Sequence, residues 1–169
     1  QALTAATTVN SLKLAGAAAS QSLDLGAQTL SLGSGGILNT GANAFTLANG
    51  TLTAGAANEL FFVGSGSGAV TVSAVIADGA GAVALTKSGA STLVLAGANT
   101  YTGGTFINGG SVSLAADAAL GAVPASAATN LTLAGGNLTA TNNVALAANR
   151  NVSVTADSTL AAAAGKTLT

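Results

Sequence analysis

The acids of this chain are Asp24, Glu59, Asp78, Asp117 and Asp157, and it has no His and no Cys to work beside them. Two carboxylates held roughly 5 to 10 Å apart across a sugar linkage would make a glycosidase. These five are widely separated, and each stands beside a turn or strand end, so they read as solvated turn residues. Only a coiled topology would bring two of them together. Catalytic triads and the common transition-metal sites lack their base or their ligands. A calcium-binding nonapeptide array needs an Asp at a fixed place in each Gly-rich turn, and Asp24 and Asp78 do not recur that way. The chemistry-bearing residues therefore point to no enzyme, no cofactor and no metal.

The run Gly64-Ser65-Gly66-Ser67-Gly68 superficially resembles a phosphate loop, but strand-like AVTVSAV follows it. Without a helix N-terminus there is nothing to hold the anion. The cations are Lys13, Lys87, Arg150 and Lys166, and the net charge is −1. Four scattered cations make no basic stripe, which excludes nucleic acid as a partner, and no segment has the Lys/Arg-rich face of a membrane-surface helix.

Aromatics are scarce, one Tyr and four Phe in 169 residues. An aromatic on an outer face is then a natural contact residue, and Tyr101 and Phe62 are the candidates. The plainer alternative has Tyr101 covering a turn and Phe61 or Phe62 filling the core. Adjacent strand residues point oppositely, so one of Phe61 and Phe62 faces out. Thr-x-Thr pairs at Thr51/Thr53 and Thr139/Thr141 fail to recur coil after coil, as an ice-binding face would require.

The elements that must position these residues are short strands. Val9–Leu14, Ser22–Leu25, Thr29–Gly33, Ile37–Thr40, Phe45–Ala54, Glu59–Gly64, Ala69–Gly79, Val83–Leu85, Leu93–Leu95, the residues about Phe106, Val112–Leu114, Asn130–Ala140, Val144–Leu146, Asn151–Thr155 and Ser158–Ala161 alternate apolar with small or polar residues. Turns rich in Gly, Asn and Ser separate them, at Lys87-Ser88-Gly89, Gly97-Ala98-Asn99 and Asn108-Gly109-Gly110 among others. Nothing has helical apolar spacing over a useful length. Ala15–Ala19 and Ala161–Ala164 are too short to stand as helices and read as strand or turn.

No apolar run is long enough to span a bilayer as a helix, and aromatic girdles for a membrane barrel are missing. The N-terminus lacks the basic and apolar regions of a signal peptide. A sandwich core wants large side chains to fill its depth, whereas here single Leu, Val or Ile residues are flanked by Ala. A solenoid is narrower, and small residues let its coils stack. Three strands per coil of roughly 20 to 25 residues would give about seven or eight coils.

The stretch LTKSGASTLVLAGANTYTGGTFINGGSVSL, Leu85 to Leu114, resembles the autotransporter-associated β-strand repeat of bacterial autotransporter passenger domains. Lys87, Gly89, Gly97, Asn99, Tyr101, Gly103, Gly104, Asn108 and Gly110 are its turn and motif residues. Ser91 stands where the pattern usually has Gly, and Val112 where it usually has Leu. The resemblance is strongest over 79–120 and weak over the first 60 residues. It implies an all-β, right-handed parallel β-helix, with 1–169 as a single segment of a longer array. It further implies export through an outer-membrane β-barrel translocator and a station on the bacterial cell surface. The implied function is structural display supporting adhesion, self-association or filament formation. A ligand-binding adhesin is the alternative and a polysaccharide-acting enzyme the remote one. Neither end reads as a polar cap, so the expected partner is a second copy, stacked head to tail or laterally, or another cell-surface molecule.

Overall fold

The computed structural model describes residues 2–19 and 21–169; Gln1 and Ser20 lie outside the described residues. Among the described residues no strand pairs with its neighbour in sequence. Each pairs in parallel with the strand one coil further on, because a tight corner carries the chain onto a different face after a few residues.

The first coil is β1 (Thr7–Val9), β2 (Leu12–Leu14) and β3 (Gln21–Asp24). The second is β4 (Thr29–Leu32), β5 (Gly36–Asn39) and β6 (Phe45–Ala48), and the third is β7 (Thr51–Ala54), β8 (Glu59–Gly64) and β9 (Val70–Val72). The fourth is β10 (Val75–Ile76), β11 (Ala84–Gly89) and β12 (Thr92–Leu95). Beyond it each coil has two strands: β13 (Thr105–Ile107) with β14 (Ser111–Leu114), β15 (Ala128–Ala134) with β16 (Asn137–Ala140), and β17 (Arg150–Ala156) with β18 (Thr159–Ala162). The result is a parallel β-solenoid with one sheet of four strands (β1, β4, β7, β10) and two of seven. The second sheet runs from β2 to β17, and the third from β3 to β18.

Seven strands in each long sheet meet the lower end of the expected coil count. Backbone bonds from Val144 and Leu146 to Thr167 and Thr169 begin one more turn on the first face. Three strands per coil holds only through β10. After that the first face is carried by loops and by a short 3-10 helix, Asp117–Leu120. Of the Ala-rich stretches, Ala15–Ala19 is irregular and Ala161–Ala162 closes β18.

The alternation seen in the sequence becomes columns of stacked side chains. Leu30, Leu52 and Ile76 line the first face inside. Ile37, Phe62, Lys87, Ile107 and Leu133 stack in register on the second. Leu47, Val72, Leu95, Leu114 and Ala140 do so on the third. These residues are almost fully buried, each large aliphatic one contributing about 1.5–3 kcal/mol by leaving water. One of those columns contains a lysine.

Candidate functional site

The repeat residues singled out in the sequence gather at two corners of the coil that joins β11–β12 to β13–β14. At the first, Lys87 points inward between Phe62 and Ile107 and is 1% exposed. Its ammonium donates to the carbonyls of Ser88 (2.9 Å), Gly89 (2.9 Å) and Gly109 (3.3 Å), so the corner itself solvates the charge. Burial lowers its pKa to about 8. Gly89 and Gly110 turn this corner with positive φ, 73° and 65°. A Cβ on Gly110 would stand 2.3 Å from the Gly89 carbonyl and 2.8 Å from the Lys87 nitrogen, so only glycine fits. Asn108, at the tip, is exposed, and its N–H donates to the Lys87 carbonyl at 2.8 Å.

At the second corner Asn99 substitutes for the missing strand of the first sheet. Its Oδ1 accepts from the Ile76 N–H one coil below (2.8 Å), and its Nδ2 donates to the Ala119 carbonyl one coil above (2.6 Å). A buried side chain thus spans three coils where a backbone ladder would otherwise run. Gly97 and Gly103 lie against the neighbouring coil, and a Cβ on either would meet backbone at 2.6 Å. Gly104 has φ 87° and opens β13.

Tyr101 and Phe62 are not surface contacts: they are 0% and 3% exposed. The Tyr101 hydroxyl bonds Thr105 Oγ1 at 2.7 Å, and its carbonyl accepts from Ala122 at 2.9 Å. Burial pushes the phenol pKa well up, against the opposing pull of the Thr105 bond and the Arg150 charge. Phe62 faces in because its strand must also turn Leu60 and Gly64 inward. Phe61 and Val63 therefore face out, 38% and 40% exposed.

Sequence reasoning missed Arg150. Its side chain is fully buried and donates to Asp117 (Nε to Oδ1, 2.8 Å), to the carbonyls of Leu120 and Gly121 (both 3.0 Å) and to Asn130 Oδ1. A bulge between Thr129 and Leu131 turns Asn130 toward it. The partner acid lies 33 residues away, so no local signal could have found the pair.

The carboxylates are engaged one by one. Asp24 accepts from Gly26 N and Asn49 Nδ2, both at 2.8 Å, and these bonds, Asn49's foremost, lower its pKa. Burial pushes the Asp78 pKa upward, yet bonds from Val83 N, Thr102 Oγ1 and Thr102 N outweigh it and hold the value below the ordinary one. Glu59 accepts from Thr86 Oγ1. Among the described residues, no three His, Cys, Asp or Glu side chains come together to hold a metal ion.

What the coils offer outward differs by face. The third sheet shows Ser22, Thr46, Thr71, Val94, Ser113 and Thr139 in one column. The second sheet shows Leu38, Phe61, Val63 and Phe106, each 37–40% exposed, with a shallow hollow of about 290 Å³ floored by Gly36 and Ile37. A wider groove of about 420 Å³ runs between Thr102–Gly104 and the 122–130 segment.

The motif that builds these coil corners is similar to the repeat of autotransporter passengers. Residues 85–114, from β11 through β14, match the passenger-associated-transport-repeat family. The chain is 40% identical over 116 residues to the adhesin BmaC autotransporter of Brucella suis biovar 1 (strain 1330), an alignment covering 68% of this chain. It spans 3% of that relative's length. No solved structure matches.

Proposed function

We propose that this chain is a non-enzymatic display segment of a surface-exposed autotransporter-like protein, one continuous array that holds adhesive faces away from the cell. One observation carries the reading. The residues that define the repeat, Lys87, Asn99 and Tyr101 above all, spend their polar groups on their own and adjoining coils. The motif therefore serves coil stacking and leaves the outer sheet faces free for contact. The adhesin name of the relative supports the same reading, as does the separate engagement of Asp24, Glu59, Asp78 and Asp117. The proposed station is the bacterial surface, reached through an outer-membrane β-barrel translocator, with matrix or cell-surface molecules as partners.

The test fuses the chain to such a translocator in a non-adherent bacterium and measures attachment to matrix-coated surfaces. The expected result is protease-accessible display with attachment several-fold above the translocator alone. Display without any gain in attachment would sink the adhesive part of the reading.

A further inference from the structure

We propose that the outer face of the second sheet recognises a second copy of this chain, two sheets meeting face to face with their strands parallel and their coil axes antiparallel, Phe61 of each seated over Gly36 of the other. The proposal rests on the display reading above and names one partner for it.

Strand register gives the relief of this face. One outward column runs Gly36, Phe61, Thr86, Phe106, and beside it runs Lys13, Leu38, Val63, Ser88. Thr86 is only 4% exposed, so the step between the two rings is filled, while the step below Phe61 is the hollow at Gly36. That glycine has no reason within its own fold to be glycine. Its φ is not positive, and an added Cβ would meet nothing closer than 3.6 Å. Its neighbour Gly35 has φ 71° and would put a Cβ 1.8 Å from the Glu59 carbonyl. The hollow is thus a property of the surface alone, one coil from an exposed ring.

A two-fold axis parallel to the strands, between the Gly36 and Phe61 rows, satisfies both at once. Each ring enters the partner's hollow, because the strand spacing of about 4.8 Å is the same in both copies. Leu38 then lies over the partner's Val63. The charges do not conflict: by register Lys13 falls over Ser88, and Glu59, tied to Thr86, falls over Ser34. Three half-exposed apolar side chains per copy contribute roughly 500 Å² in all, well under the ~1,200 Å² of stable complexes. The dimer is therefore weak, with Kd on the order of 0.1–1 mM, and gains strength only where many copies are displayed together.

Sedimentation equilibrium of the purified chain tests this across that concentration range. Wild type dimerises reversibly, Phe61→Ser and Gly36→Val each raise Kd at least ~10-fold, and Phe106→Ser, equally exposed but outside the contact, does not. Since the chain has no Cys, a second readout is clean. Protein carrying Leu38→Cys mixed with protein carrying Val63→Cys forms a disulfide-linked heterodimer under mild oxidation, whereas Thr71→Cys on the third sheet links to neither. A wild type that stays monomeric, a Gly36→Val chain that dimerises normally, or a mixture that fails to cross-link overturns the proposal. Circular dichroism on each variant separates loss of contact from loss of fold, and Gly36→Val and the cysteine pair decide the matter should Phe61→Ser misfold. Failure of cell attachment with an intact dimer would overturn the adhesive reading alone, and a monomer with intact attachment would overturn only this interface.

Discussion

Arg150 Nε donates to Asp117 Oδ1 at 2.8 Å, joining β17 to the 3-10 helix one coil below it. The guanidinium also satisfies carbonyls of Leu120 and Gly121 and the Asn130 amide, so the pair pins the loop that stands in for a strand on the first face. Removing one partner of a buried ion pair strands the other, at a cost of about 3–5 kcal/mol. Arg150→Ala should therefore lower thermal stability sharply and open the 122–127 segment to limited proteolysis. Unchanged melting would refute the pinning role.

Lys87 and Tyr101 together set the alkaline behaviour. The Lys87 pKa falls from 10.5 in the unfolded chain to about 8 in the fold, so between these values the unfolded state binds more protons. Stability should rise as pH increases from about 8 toward 10.5. Tyr101 acts oppositely: its folded pKa lies above the ordinary 10.0, so its contribution is whole below that value and is lost as pH climbs beyond it. Denaturant midpoints measured from pH 7 to 11 should pass through a maximum near pH 10. A Lys87→Met chain should lack the rise and keep the fall.

Asn99 offers a cleaner dissection than either charged residue. Asn99→Ala leaves the Ile76 N–H and Ala119 C=O unpaired in the interior, costing about 2–6 kcal/mol in all at about 1–3 kcal/mol for each orphaned group. Asn99→Asp keeps the acceptor and loses the donor. Hydrogen exchange at the Ile76 amide should accelerate strongly in the Ala variant and far less in the Asp one; equal acceleration would contradict the two-sided bridge.

Gly110→Ala should destabilise the corner by about 2 kcal/mol or more, since positive φ alone costs a β-carbon roughly 1–2 kcal/mol and the Gly89 carbonyl and Lys87 nitrogen crowd the same space. A chemical-denaturation midpoint equal to that of wild type would show that the corner relaxes freely.

Much of this fold could be read from the chain because its alternation is regular and its corners are glycine-rich. Leu93 and Leu95, or Val112 and Leu114, face inward as their spacing says. In ELFFVG the pattern is silent: Leu60 and Phe62 on one parity and Phe61 and Val63 on the other are all apolar, and stacking against adjoining coils chooses between them. Charge misleads at Lys87 and Arg150, which look like solvated residues and are held inside by carbonyls and an acid from other coils. The scarcity of aromatics singles out Tyr101 as a contact ring, but the segment that carries it folds over the core where a strand is missing.

The parallel register gives the rod a distinctive response to load. Every ladder bond points along the long axis, and each coil grips only the ones directly above and below. A pull on the backbone therefore peels one coil at a time, paying out roughly 70–80 Å of slack for each coil of about 22 residues. A tether of this design yields in steps under shear while the remaining coils stay folded.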